Sequence, residues 1–248
     1  MDERGGTPAR TPAGTAAGTT ARAPDGLALL EDGREVEPLR GPRTADLDGR
    51  RTRAWWRGFS EQVRSRADEL TELDRLSGDG DFGHNLSAAV RSADERIRQG
   101  RPYTAGGVFE AVSLGFLDTG GTSGPLLGMW FREFARECGE SASAQDLARA
   151  ARAGLDCVQR LGGAQPGDKT MVDAMDPAAR ALEDAAHAGV PAVSALSAAY
   201  RAAADGVRGT QASRATRGRA SYVGEAARGV VDPGALVVAW FFERGTVV

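Results

Sequence analysis

The chain has 248 residues, 41% hydrophobic and 26% charged, with a formal net charge of −3, a size and balance that suit one or two ordinary globular domains. The slight acidity argues against broad binding to nucleic acid or anionic membranes, which calls for a basic surface. No apolar run approaches a membrane span and the N-terminus has no contiguous apolar core, so the expectation is a cytoplasmic protein with neither a membrane nor a nucleic-acid partner.

Residues 1–50 are rich in Gly, Ala, Thr, Pro and Arg, with one short apolar patch at Leu27–Leu30. Such a stretch buries too little surface to offset its ordering entropy. A mostly disordered tail is expected, with a short hairpin or helix around Leu27–Leu39, or a transit peptide, as alternatives.

From residue 51 the pattern turns helical. Trp55, Phe59, Val63, Ala67, Leu70 and Leu73 recur every three or four residues, one face of a first helix that stops at Gly78–Gly83. Leu86, Ala89, Val90, Ala93 and Ile97 mark a second helix, Val108, Val112 and Leu117 a third, and Leu126, Met129, Trp130, Phe134 and Cys138 a fourth. Ser143, with Asp146 three residues on, caps a fifth that carries Cys157. A sixth spans about Thr170–Ala188 with Pro177 expected to bend it, and Val193, Leu196, Tyr200 and Val207 place a seventh. Asp232-Pro233 is an N-cap followed by Pro at the first helical position. The run Ala235–Phe242 behind it is apolar on all sides, so that helix is expected in the core. No segment alternates with period two over strand length, and residues 51–248 therefore read as one all-α domain of about eight helices. Cys138 and Cys157, without a CxxC or Cys/His cluster, read as buried reduced thiols.

The segment from Leu73 to Asn85 (LDRLSGDGDFGHN) puts Asp74, Asp79 and Asp81 within eight residues. Asp79 and Asp81 are two apart, so in extended backbone they share a side. Asp74 falls at the negative end of a helix dipole, where an acid is disfavoured. Two ionised carboxylates about 4 Å apart repel by roughly 4 kcal/mol near a protein surface. A hard cation such as Mg²⁺ resolves that conflict, filling its other positions with water and phosphate oxygens. Gly78, Gly80 and Gly83 match GxGxxG, but a helix rather than a strand precedes them. An EF-hand would need glutamate where Val90 stands. A solvated acidic turn is the remaining alternative.

Other constellations leave two readings each. Gly120–Pro125 opens a helix whose amides and Ser123 hydroxyl suit a phosphate, or is an ordinary glycine turn with a serine cap. Gly162–Thr170 nearly spells a P-loop, which Asp168 and the helical segment before it exclude. Lys169, the one lysine beside an arginine bias that coding composition explains, either binds phosphate as a point charge or pairs at the surface with Asp168 or Asp173. Arg219 either supplies charge to a transferring phosphate or belongs, like Arg214 and Arg217, to a solvated basic loop. His84 lies in the acidic loop, while His187 at a helix end reads as surface.

Taken in order, Leu73–Asn85, Gly120–Pro125, Gly167–Met171, Gly218–Tyr222 and Asp232–Ala235 resemble the blocks of the L subunit of dihydroxyacetone kinases and of the equivalent domain of the single-chain kinases. One block is a weak signal; five in family order from 73 to 235 are specific. The resemblance implies a barrel of eight antiparallel helices with ADP or ATP bound at one end. Asp74, Asp79 and Asp81 would hold two Mg²⁺ ions against the phosphates. Phe82, Gly83, His84, Asn85, Thr122, Ser123, Gly162, Met171, Arg219, Asp232, Pro233 and Gly234 would line the nucleotide pocket, and Arg219 would be catalytic, stabilising the transferring group. In-line phosphoryl transfer of this kind rests on positioning and charge neutralisation.

In that family the acceptor, a small hydroxyketone, sits on a separate K-type subunit or domain. A substrate-binding partner is therefore implied, with a phosphotransferase-system protein or ATP as phosphoryl donor. This sequence departs at Phe82, where His is common, at Ala226, where Arg is usual, and at Val230-Val231, where polar residues are common. A kinase component for another polyol, sugar or fatty-acid acceptor, or a nucleotide-binding regulatory module that transfers nothing, stays open beside the first reading.

Overall fold

The computed structural model of the protein describes residues 46–217 and 227–248. The expected tail, its Leu27–Leu39 alternatives, and the Gly218–Tyr222 block with Arg219 lie outside the described residues, as does Ala226.

Among the described residues the chain forms nine helices and one two-stranded pairing. Strand β1 (Leu47–Asp48) leads into α1 (Gly49–Ser65) and α2 (Ala67–Ser77); α3 (Phe82–Gly100), α4 (Ala105–Leu117) and α5 (Ser123–Glu137) follow. Strand β2 (Ser141–Ala142) precedes α6 (Ala144–Gly162), α7 (Val172–His187), α8 (Ala192–Ala212) and α9 (Pro233–Gly245). The two strands pair antiparallel, Leu47 opposite Ala142, and are too short to leave an alternating pattern. Leu47 is fully buried, and α1 begins at Gly49, ahead of residue 51.

The single first helix of the sequence reading is two. Arg66 leaves helical geometry (φ −118°, ψ 22°), yet its N–H still bonds to the Gln62 carbonyl and its own carbonyl accepts from Leu70, both at 3.1 Å. Near-continuous hydrogen bonding carries the apolar periodicity across the joint, which is why the break leaves no mark in the pattern. The caps follow local chemistry. Ser143 and Asp146 form a capping box: Ser143 Oγ accepts from the Asp146 N–H and Asp146 Oδ2 from the Ser143 N–H. Asp232 Oδ2 accepts from the Ala235 N–H at 2.7 Å, with Pro233 first in α9.

Pro177 lies inside α7. It has no N–H for the carbonyl four residues back, that of Asp173. Gly206 of α8 makes room for that carbonyl: a Cβ at Gly206 would stand 2.1 Å from it. The carbonyl left free by proline is thus where the backbone of α8 approaches α7 closely.

From α3 to α9 each helix packs on its neighbours in sequence. Helix α1 closes the ring, touching α9 on one side and α3 and α4 on the other, while α2 packs on α3 and α9. With α1 and α2 as one stave, the result is an all-helical barrel of eight staves. Its interior is filled by aromatic side chains around Phe241. Trp55 stacks on that ring at 4.4 Å, and Phe59, Trp130, Phe131 and Phe134 meet it edge-on at 5.1–5.7 Å. The Trp55 indole N–H is satisfied by the Phe241 carbonyl at 2.6 Å. Each such side chain contributes about 1.5–3 kcal/mol by burial. Helix α9 is buried nearly all round, as its composition requires. Cys138 and Cys157 are buried free thiols, and burial pushes the Cys138 thiol far up. No helix among the described residues is long and apolar enough to cross a membrane.

Candidate functional site

Strict up-and-down order brings the starts of α3, α5, α7 and α9 to one end of the barrel, together with the finishes of α2, α4, α6 and α8. A cavity of about 620 Å³ opens there, bordered by the first residues of the four starting helices, Phe82, Ser123, Val172 and Pro233. Helix N-termini present unsatisfied N–H groups and a partial positive charge, a natural seat for an anion. The cap residues of α3, α5 and α7 make no side-chain hydrogen bond to those amides, while the first amide of α3 goes to Asp74 and that of α7 to the Thr170 hydroxyl.

Against this positive lining stand three acids. Asp74 occupies the last turn of α2, with Asp79 and Asp81 in the turn to α3, and all three border the cavity. One ligand atom from each lies within 4.8 Å of the others. The Phe82 N–H donates to Asp74 Oδ2 at 3.1 Å and fixes its rotamer. Burial raises the Asp74 carboxyl above its ordinary value; the Phe82 N–H opposes this, and the charges of Asp79 and Asp81 add to it. A solvated acidic turn, the alternative reading, requires neither the convergence nor the shared cavity. Oxygen-only donors at this density suit a hard divalent cation such as Mg²⁺. Gly78 is part of the arrangement, since a Cβ there would stand 2.5 Å from Asp74 Oδ1.

The remaining expected residues divide cleanly. Phe82, Asn85, Thr122, Ser123, Gly162, Met171, Asp232, Pro233 and Gly234 all border the cavity. Gly83 and His84 do not. Gly83 faces α2, where a Cβ would stand 2.2 Å from the Ala67 carbonyl, and His84 is exposed to solvent. Successive helical residues point about 100° apart, so a contiguous motif at a helix start cannot all face one ligand. Burial, helped by the Asp173 charge, raises Asp232 to about 7 against the Ala235 N–H it caps and the nearby Lys169 charge.

Lys169 corrects the surface reading. It is 1% exposed, and its ammonium donates to the Thr210 and Val230 carbonyls. Asp168 and Asp173 serve the backbone instead: Asp168 accepts from the Gln165 N–H at 2.8 Å, and Asp173 from those of Gly167 and Thr170 at 2.6 and 2.8 Å. Arg217, read as a solvated loop residue, borders the cavity with its Nε 3.8 Å from Asp168. Leu86, Leu126, Val158 and Ala164 supply an apolar side that the sequence did not single out. Leu86, Leu126 and Val158 fit ordinary core stripes and Ala164 lies in the loop after α6, so no local signal distinguishes them.

A helical barrel with an acidic triad at the end where four helix N-termini open defines the class, and comparison with known proteins gives its family. The DAK2 domain model matches residues 77–246, and the chain belongs to that family. The ADP-binding subunit DhaL of PEP-dependent dihydroxyacetone kinase 1 from Listeria innocua is 31% identical over 76% of this chain and 90% of its own length. L-erythrulose 1-kinase from Mycolicibacterium smegmatis is 37% identical over 73% of this chain, which spans only 32% of that enzyme. Among solved structures, the dihydroxyacetone kinase of C. freundii in complex with AMP-PNP and Mg²⁺ superposes with a TM-score of 0.62 at 23% identity, covering 85% of this chain and 36% of the other. That likeness establishes the shared fold.

Proposed function

We propose that the protein is the Mg²⁺- and nucleotide-binding component of a dihydroxyacetone-type kinase, a phosphotransferase with an alcohol group as acceptor. One observation carries this reading: three carboxylates within 4.8 Å of one another face a cavity onto which four helix N-termini open. Anionic phosphate suits the helix ends and cannot approach the carboxylates without a cation between them. The near full-length match to an ADP-binding subunit supports ADP or ATP as the nucleotide.

In this reading Asp74, Asp79 and Asp81 hold the metal, two ions in all, with Phe82 fixing Asp74. Ser123 and the amides opening α5 receive phosphate oxygens. Asn85, Thr122, Gly162, Met171 and the Asp232–Gly234 turn hold the rest of the nucleotide against the apolar side formed by Leu126 and Val158. Bound Mg²⁺ supplies neutralisation of the developing phosphate charge. Arg219 adds positive charge at the transferring group. The kinase domain covers residues 51–248 and takes in β1 and the start of α1 just ahead of them. The acceptor is held by a K-type substrate-binding partner in the cytoplasm, and the phosphoryl donor is ATP or a phosphotransferase-system protein. The similarity to L-erythrulose 1-kinase favours a four-carbon hydroxyketone as a second candidate acceptor.

Calorimetric titration with ADP tests the core of the reading. Binding is expected to require Mg²⁺, and Asp79→Asn or Asp81→Asn to weaken it by about tenfold or more. Equal affinity with and without metal would refute it. Phosphoryl transfer to dihydroxyacetone on adding a substrate-binding subunit then separates a kinase from a module that only binds.

A further inference from the structure

Of the 31 lysines and arginines in the chain, one is lysine. The packing around Lys169 explains the exception. Its side chain is 1% exposed, and its Nζ donates to the carbonyl oxygens of Thr210 and Val230, each at 2.5 Å. A compact ammonium fits between two carbonyls at that spacing. A planar guanidinium with five N–H donors demands more room and more acceptors. The residue also stands at φ +61°, a left-handed conformation disfavoured for any residue with a side chain. Backbone strain and a buried cation at one position break two local rules, a combination that persists where something else depends on it.

What depends on it is one wall of the cavity. Thr210 lies near the end of α8 and Val230 just before α9. Thr210 Oγ1 in turn accepts from the Asp232 N–H at 2.9 Å. Two residues past Lys169, Met171 meets the α9 turn: a Cβ at Gly234 would lie 3.4 Å from Met171 Cβ. We infer that Lys169 is a positioning residue whose ammonium ties the 167–171 loop, the end of α8 and the lead-in to α9 together, so that Met171 and Asp232–Gly234 present one wall to the bound nucleotide. The inference rests on the proposed nucleotide site, but its structural half can be measured without nucleotide.

Lys169→Met keeps the apolar stem and removes the charge; Lys169→Arg keeps the charge and changes its shape. Both are expected to keep the helical circular dichroism of the parent. Both should bind ADP with Mg²⁺ about tenfold or more weakly, the range for groups that hold a ligand's contacts in place. Amide exchange over 230–235 should quicken about tenfold in Lys169→Met, with exchange over 79–85 unchanged, a local opening that general destabilisation would not confine to one segment. Parental exchange over 230–235, or affinity within about twofold of the parent in either variant, overturns the inference. If the parent fails to bind ADP with Mg²⁺, the proposed function falls while the exchange measurement still decides the lysine's role. A check without mutation covers the case in which the variants do not fold. With ¹³C-labelled lysine the protein gives one side-chain Cε signal, expected to shift when ADP and Mg²⁺ are added to the parent; binding with no shift also overturns it.

Discussion

At Asp74 burial, a backbone N–H and two neighbouring acids act on a single carboxylate, and Gly78 leaves it the space to stand where it does. Gly78→Ala tests that space directly. Its Cβ would sit 2.5 Å from Asp74 Oδ1, so the carboxylate must move. Mg²⁺-dependent ADP affinity is expected to fall about tenfold, with the helical circular dichroism of the parent retained; unchanged Mg²⁺ dependence would show that Asp74 is not a ligand. Asp232 provides a pH signature. Its carboxyl ordinarily titrates at 3.8 but at about 7 in the fold. The folded state therefore holds the proton more tightly, and this stabilisation is complete below about pH 4 and lost as pH rises through 7. Asp232→Asn keeps an acceptor for the Ala235 N–H and abolishes the titration. In metal-free denaturation its stability relative to the parent should rise from about pH 4 to about pH 7 and level off above that. A constant difference across that window would place the titration elsewhere.

Elements in this chain are set largely by their ends. The Ser143–Asp146 box satisfies the first amides of α6 on the side of the barrel away from the cavity, since the other end of α6, Gly162, borders it. Ser143→Ala should cost about 1 kcal/mol in urea unfolding and leave Mg²⁺–ADP affinity unchanged; a loss of affinity would mean that the two ends of the helix communicate. Caps of this kind were legible because their chemistry spans only a few residues. The break at Arg66 was not, because the hydrogen bonds on either side of it preserve the apolar spacing. Gly83 and His84 stood inside the acidic motif but face away from the cavity, a distinction that helix geometry makes and residue type does not.

Across the whole molecule, the aromatic interior ties α1, α4, α5 and α9 through Phe241, and its integrity holds the helix ends at their spacing. Phe241→Ala empties the centre of that cluster and is expected to lower stability by about 3–5 kcal/mol in chemical denaturation; a loss below about 1 kcal/mol would show that the barrel repacks freely. The amino-acid sequence by itself determined where most helices lie, how α6 and α9 begin, and that three acids share one turn, because each of these depends on residues close in the chain. Only the tertiary structure decided which helix ends meet, which leucines and valines of the core also border the cavity, and that Lys169 is buried against Thr210 and Val230, 41 and 61 residues away in the chain. Those outcomes depend on contacts between distant segments, and no local pattern of side chains encodes them.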